Sequence, residues 1–187
     1  MRRGDLLDAA ARLFVERGYE ATTVEDIARA AGVAKGTFYL YFRTKDQLLT
    51  ALRQAFVDDL VQRVSQLQRP RGRGGWRSYI DGLVGTAIDA HVAARELHDV
   101  VTHGPHERPH ARHGAGEADP IRIMLREITM SGVAAGAFRL KDPGTAADLV
   151  YDMLHAAADH VCHAPARAGE ITAAAREMTW RALSGRP

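Results

Sequence analysis

Residues 22–45, TTVEDIARAAGVAKGTFYLYFRTK, restrict this chain more than any other stretch, because their spacing suits two short helices joined by a tight turn. Thr23 and Asp26 have the spacing of a capping box, in which the hydroxyl accepts from the third helical amide and the carboxylate reaches back. Val24, Ile27, Ala28 and Ala31 follow at helical spacing and give the first helix one apolar face. Gly32 suits the left-handed position just past a helix. Val33 can plug the angle between the helices, and residues 34–41 make the second. A turn this short holds the two at a steep angle, so the second stands clear of the body.

That arrangement is a helix-turn-helix, with the motif over about residues 23–42. Lys35, Gly36, Thr37, Tyr39 and Tyr41 are small or polar, while Phe38 is placed to anchor the helix to a core. Such a surface offers donors for phosphates and bases, and flat rings for sugars or thymine methyls. Gly36 weakens a helix and is expected where a backbone must come close to something, here the phosphodiester chain. Thr44 reads as the cap of a long helix with Gln47 as its reciprocal partner. Lys45 follows at the first helical position, where its charge opposes the helix dipole. A helix start with a lysine beside it is also a good phosphate site, so this locally unfavourable choice points to function.

Residues 5–49, DLLDAAARLFVERGYEATTVEDIARAAGVAKGTFYLYFRTKDQLL, resemble the three-helix DNA-binding domain of the TetR family of transcriptional repressors. The order GY, TTVEDIA, AGV, GTFY, YF, K, LL carries the resemblance, which covers about a quarter of the chain. The resemblance implies that Lys35, Thr37, Tyr39, Tyr41 and Lys45 face DNA, with Lys45 and Tyr41 on phosphates. It also implies that Thr23 caps the first helix of the motif and adds a backbone contact. Many members of that family carry Ser or Thr where this chain has Ala34, and the missing hydroxyl costs about 1 kcal/mol of helix stability.

Net charge is only +2, so overall charge is no argument for DNA, but local charge is. Residues 34–45 hold three bases and no acid, and residues 69–77 hold four arginines and no acid. A dimer would double that positive footprint. Cys162 is the single cysteine, which excludes an intrachain disulfide or a multi-cysteine zinc site. The start MRRGD passes straight into an amphipathic helix, and no apolar run approaches the ~20 residues that span a membrane. A cytoplasmic protein without membrane contact is expected.

Leu6, Ala10, Leu13 and Phe14 mark a first helix that Gly18 ends. The helix from Lys45 runs on through Leu52, Phe56, Leu60, Val64 and Leu67, further than a three-helix head can bury, until RPRGRGG (residues 69–75) breaks it. Further helices are expected over residues 76–94, from Pro120, over 146–163 and over 170–183, with a His-, Gly- and Pro-rich loop at 103–116. The expected fold is all-α with about nine helices. A helix-turn-helix DNA-binding domain would occupy residues 1–46, and a helical effector-binding and dimerisation domain residues 47–187.

In the resembled family the last two long helices pair with their copies in a second subunit. Leu149, Met153, Ala156, Ala157, Ile171, Ala175, Met178 and Ala182 could supply that surface, or could be ordinary core. An effector pocket among the middle helices has Phe56, Trp76, Tyr79, Leu83, Met124, Ile128, Tyr151 and His155 as candidates by position, each of which also fits plain core packing. His155, Asp159 and His163 share one helix face beside Cys162, and His103, His106, His110 and His113 cluster in the loop. Those are acceptable metal-ligand types without a diagnostic pattern.

The sequence therefore supports a dimeric, ligand-responsive repressor on a palindromic operator, released by an unidentified small-molecule effector, with no cofactor, bound metal or catalytic residue. The alternatives are a metal-responsive regulator using the His155, Asp159 and His163 face, and a helical protein-interaction module without specific DNA binding. An enzyme is disfavoured, since neither a nucleotide-binding glycine motif nor GxSxG occurs.

Overall fold

The computed structural model describes residues 3–97 and 119–185, and every regular element among them is helical. These are α1 (Arg3–Arg17), α2 (Val24–Ala30), α3 (Lys35–Tyr41), α4 (Lys45–Ser65), α5 (Trp76–Ala93), α6 (Pro120–Ala134), α7 (Pro143–His163) and α8 (Ala168–Ser184), with a 3-10 turn at Pro165–Arg167 before α8. The expected loop over 103–116, with its four histidines, lies outside the described residues. The described residues form two compact units, one of residues 3–56 with 94–97, the other of residues 57–93 and 119–185.

Helix ends in both units follow local hydrogen-bonding chemistry. Gly18 takes a positive φ of 79° and its amide closes α1 on the Phe14 carbonyl. Asp119 caps α6 by accepting from the Ile121 amide, and Pro120 takes the first turn, where it has no amide to waste. The helix expected from residue 146 begins three residues earlier, at Pro143. Asp142 accepts from the Gly144 and Thr145 amides, and Pro143 suits the first helical position. Hydrogen bonds from Thr145 hold the Asp142 carboxyl below its ordinary range, so the cap is charged at neutral pH.

The first unit has one apolar core. Leu6, Ala10, Leu13 and Phe14 of α1 meet Ile27 and Ala28 of α2, Phe38 of α3, and Leu48 and Leu49 at the start of α4. In the second unit α7 is central and packs on α5, α6 and α8. Its core includes Ile80, Leu83, Val84 and Ile88 of α5 and Leu125 and Ile128 of α6, with Val150, Leu154 and Val161 from α7. Trp76 is buried edge-on against Phe138, with ring centroids 5.0 Å apart, and its indole N–H donates to the Gly72 carbonyl at 2.8 Å.

One polar feature crosses this core. Arg122, inside the apolar stripe of α6, is buried and donates to Asp148 at 3.1 Å and Asp152 at 3.2 Å, both on α7. Its guanidinium also lies 4.0 Å from the centroid of the Tyr151 ring. Burial works against its charge, and the two carboxylates more than offset it, so its pKa is raised. Gly132 of α6 lies directly under the Phe138 ring, and a Cβ at that position would overlap the ring. Because Phe138 is itself wedged against Trp76 and Trp180, it has little room to retreat. Gly132→Ala should therefore destabilise the protein by about 1–3 kcal/mol through overpacking. Urea unfolding of the variant measures this, and an unchanged midpoint would show that the ring moves aside at no cost.

Candidate nucleic-acid interface

The turn between α2 and α3 is fixed by backbone hydrogen bonds. Past the end of α2, the Val33 amide donates to the Ala28 carbonyl at 2.8 Å and the Gly32 amide to Arg29 at 3.0 Å. This pair closes a Schellman turn, which requires the positive φ of 73° that Gly32 adopts. At the other end of α2 the capping box is complete: Asp26 N–H donates to the Thr23 hydroxyl, and the Thr23 amide and hydroxyl donate to the Asp26 carboxylate. The Thr23 bonds hold the Asp26 carboxyl below its ordinary range. Val33 packs on the core from the turn, as its position suggests. Ala34 precedes α3 with no side-chain cap, so the short helix depends on tertiary packing.

That packing is Phe38, which is fully buried. At 100° per residue, Gly36 and Leu40 each lie within about 20° of the direction opposite Phe38. Lys35 and Tyr39 flank them on one side, Thr37 and Tyr41 on the other. Tyr39 and Tyr41 are 49% and 42% exposed, Tyr39 with its ring edge-on to Phe38. Lys35 is exposed and reaches back to pair with Glu25 of α2. That hydrogen bond raises the lysine pKa and lowers the glutamate's, so both stay charged at neutral pH. Thr23 is exposed and Thr37 partly so. A Cβ built on Gly36 meets nothing within 4 Å, so no contact within the chain requires glycine there.

The start of α4 departs from its expected hydrogen bonding. Thr44 accepts from the Gln47 amide at 3.1 Å, as a cap should. Gln47, however, reaches the Arg43 amide at 2.8 Å instead of returning the bond to Thr44. The Lys45 ammonium folds back over the Tyr19 ring, 4.1 Å from its centroid, and donates to the carbonyls of Tyr19 at 2.6 Å and Thr22 at 2.9 Å. Tyr19 in turn donates to Asp46, and burial with that carboxylate pushes its hydroxyl pKa well up. Thr22 is buried and donates to the Gly18 carbonyl at 2.8 Å. These bonds tie the connection between α1 and α2 to the first turn of α4. The structure thus gives Lys45 a holding role that its sequence position does not disclose.

In the second unit, a cleft of about 340 Å³ is lined by Val61, Val64, Tyr79, Pro120, Ile123 and Met124, with Ser65, Arg69 and Glu127 as its polar members. Arg69 pairs with Glu127 at 3.7 Å and donates to the Tyr79 hydroxyl, whose pKa is raised mainly by burial. Of the pocket candidates only Tyr79 and Met124 meet there. Trp76, Leu83 and Ile128 are buried core. Tyr151 stacks on His155 with an interplanar angle of 5° and carries Arg122 on its ring, and Phe56 belongs to the first unit. Arg69 was hidden in a stretch that reads simply as a helix breaker.

The remaining sequence candidates divide in the same way. His163 bonds the Asp159 carbonyl at 2.9 Å through Nδ1, while His155 faces Tyr151 and His91. Among the described residues no three His, Cys, Asp or Glu side chains form a group able to hold a metal ion. Ala157 and Ala175, candidates for a subunit interface, are buried within the chain, whereas Leu149 and Met178 are 65% and 58% exposed. No helix among the described residues is long and apolar enough to cross a membrane.

Residues 6–52 match the family model described as bacterial regulatory proteins, tetR family. The HTH-type transcriptional repressor KstR2 of Rhodococcus jostii (strain RHA1) is 42% identical over 146 residues, covering 74% of this chain and 68% of that protein. The chain belongs to the TetR family. It is a DNA-binding transcriptional regulator. Solved TetR-family structures share the fold across the whole chain. The regulator FadR of Bacillus subtilis, in complex with stearoyl-CoA, is 19% identical and covers 100% of both chains with a TM-score of 0.79. The ketosteroid transcriptional regulator KstR2 of Mycobacterium tuberculosis is 24% identical and covers 98% of this chain and 95% of its own, with a TM-score of 0.63.

Gly36 separates a structural role from a DNA-facing one. With open space at its Cβ, Gly36→Ala should raise helix stability by up to about 1 kcal/mol. If the bare backbone is there for close approach to DNA, the same change should weaken DNA binding. Thermal melting and fluorescence anisotropy on one protein preparation read both effects, and unchanged affinity would remove Gly36 from the interface.

Proposed function

We propose that this protein is a homodimeric repressor that reads a two-fold symmetric operator with α3 and leaves it when a small amphipathic effector binds. The observation that carries this is the surface of α3: Phe38 fixes the helix by one buried ring, and the remainder is exposed Lys35, Gly36, Tyr39, Leu40 and Tyr41 with half-buried Thr37. Lys35 can exchange Glu25 for a phosphate, and the exposed tyrosine hydroxyls can donate to phosphate oxygens. Thr23 adds a hydroxyl at the start of α2, and Lys45 has a third N–H beyond the two given to carbonyls. In this division of labour residues 1–46 bind DNA, and residues 47–187 bind effector and the second subunit. The exposed Leu149, Ala156, Met178 and Ala182 of α7 and α8 support the dimer. A dimer is also what a seven-residue reading helix needs for useful specificity. With DNA as its partner the protein works in the cytoplasm, and it needs neither a cofactor nor a catalytic residue.

Selection of bound duplexes from a random pool by the purified protein tests the DNA reading. Recovery of a two-fold palindrome is expected at near-physiological salt, and Tyr39→Ala should abolish that preference while helicity and dimer are kept. Sequence-indifferent binding by the unaltered protein would refute specific recognition, and unfolding of the variant would place the ring in the core instead.

The cleft of the second unit supports an effector with an apolar body, since its lining is mainly apolar, with Ser65 and the paired Arg69 and Glu127 as its polar members. The stearoyl-CoA complex of FadR favours acyl thioesters as the class. Acyl-CoAs of increasing chain length should release the selected duplex from the protein, while CoA without an acyl chain should not. Release by CoA alone, or by no acyl chain at all, would eliminate this class.

A further inference from the structure

We infer that Leu40 is a specificity-determining residue that reads the methyl group of a thymine in the major groove. The inference rests on α3 being the DNA-reading helix. Leu40 is 81% exposed, the highest value among the large apolar side chains described as exposed. It lies almost diametrically opposite Phe38, the buried anchor, and is therefore the side chain that α3 projects furthest from its own unit.

Its neighbour on that face, one turn earlier, is Gly36, which offers no side chain and whose own surroundings are empty. The leading edge of the helix is thus a bare backbone notch followed by a branched apolar group. Groups able to make hydrogen bonds (Lys35, Tyr39, Thr37 and Tyr41) are displaced to the two sides. Flanking donors are well placed for the phosphates that border a groove. The Leu40 side chain, which stands furthest out at the centre, cannot hydrogen-bond a base edge. Of the base edges in the major groove, the thymine C5-methyl is the one that presents an apolar surface. A solvated position would gain nothing from leucine, and an exposed leucine unsupported by neighbouring apolar side chains on its face makes a poor docking patch for a protein partner.

The test uses the full-length protein and the duplex recovered from the random pool. Each thymine of one half-site, and its symmetry mate, is replaced in turn by deoxyuridine, which removes only the methyl. The dissociation constant is then measured by anisotropy. For one thymine the replacement should weaken the unaltered protein about fourfold per half-site, the value for losing one buried methyl-sized group. Leu40→Ala should bind the thymine duplex more weakly and respond little to that replacement, while Leu40→Met, which keeps apolar reach, should retain the response. Thermal melting confirms that the variants fold.

A Leu40→Ala protein with the full deoxyuridine response at every position would overturn the inference, as would an unaltered protein indifferent to every replacement. Failure to recover any preferred duplex would overturn the DNA reading beneath it, which distinguishes the two failures.

Discussion

The exposed surface of α3 depends on one side chain, Phe38. A seven-residue helix with an alanine at its cap position cannot persist alone, because nucleating a helical turn costs more than so few hydrogen bonds return. Burying a phenylalanine ring supplies roughly 1.5–3 kcal/mol and does so at a single point on the circumference of the helix. That point fixes the rotation of α3, and the rotation decides which residues can reach a ligand. Tyr39, Tyr41, Gly36 and Leu40 are exposed because residue 38 is not.

A second constraint holds the ground on which α3 stands. The loop between α1 and α2 carries carbonyls that no helix satisfies, and Lys45 reaches across from α4 to bind two of them. Tyr19 contributes twice, giving its ring to the lysine and its hydroxyl to Asp46. The residue order GY, TT and TK therefore describes one polar cluster within the chain. The Lys45 ammonium gives two of its three N–H donors to that cluster.

The second unit combines an apolar core with a buried polar link between two of its helices. Buried Arg122 links α6 to α7 through two carboxylates and a tyrosine ring, so the position of α6 is coupled to that of α7. α6 also supplies Ile123, Met124 and Glu127 to the apolar cleft. A molecule that wedges into the cleft meets a helix already tied to α7, which carries the exposed Leu149. Such a molecule shifts occupancy only as far as it prefers one arrangement of these helices over another.

How much of this was legible in the sequence follows from the range of each interaction. The capping box of Thr23 and Asp26, the glycine turns at 18 and 32 and the proline start at 120 depend on residues within about one or two turns, so spacing alone determined them. The resemblance of the first quarter of the chain to a known DNA-binding domain rests on the same local order. The start of α7 was misplaced because Asp142 and Pro143 read as a turn, when the same two residues also make a good helix start. Only the tertiary structure decided the rest. Lys45 finds its carbonyls 23 and 26 positions away, and Arg122 finds its carboxylates 26 and 30 positions away. Trp76 and Tyr79 looked alike as pocket candidates, yet one is sealed by Phe138 and the other opens on the cleft beside Arg69. Periodicity states which face of a helix is apolar; which atoms it meets is settled by how distant segments pack, and that information is held by no single stretch of the chain.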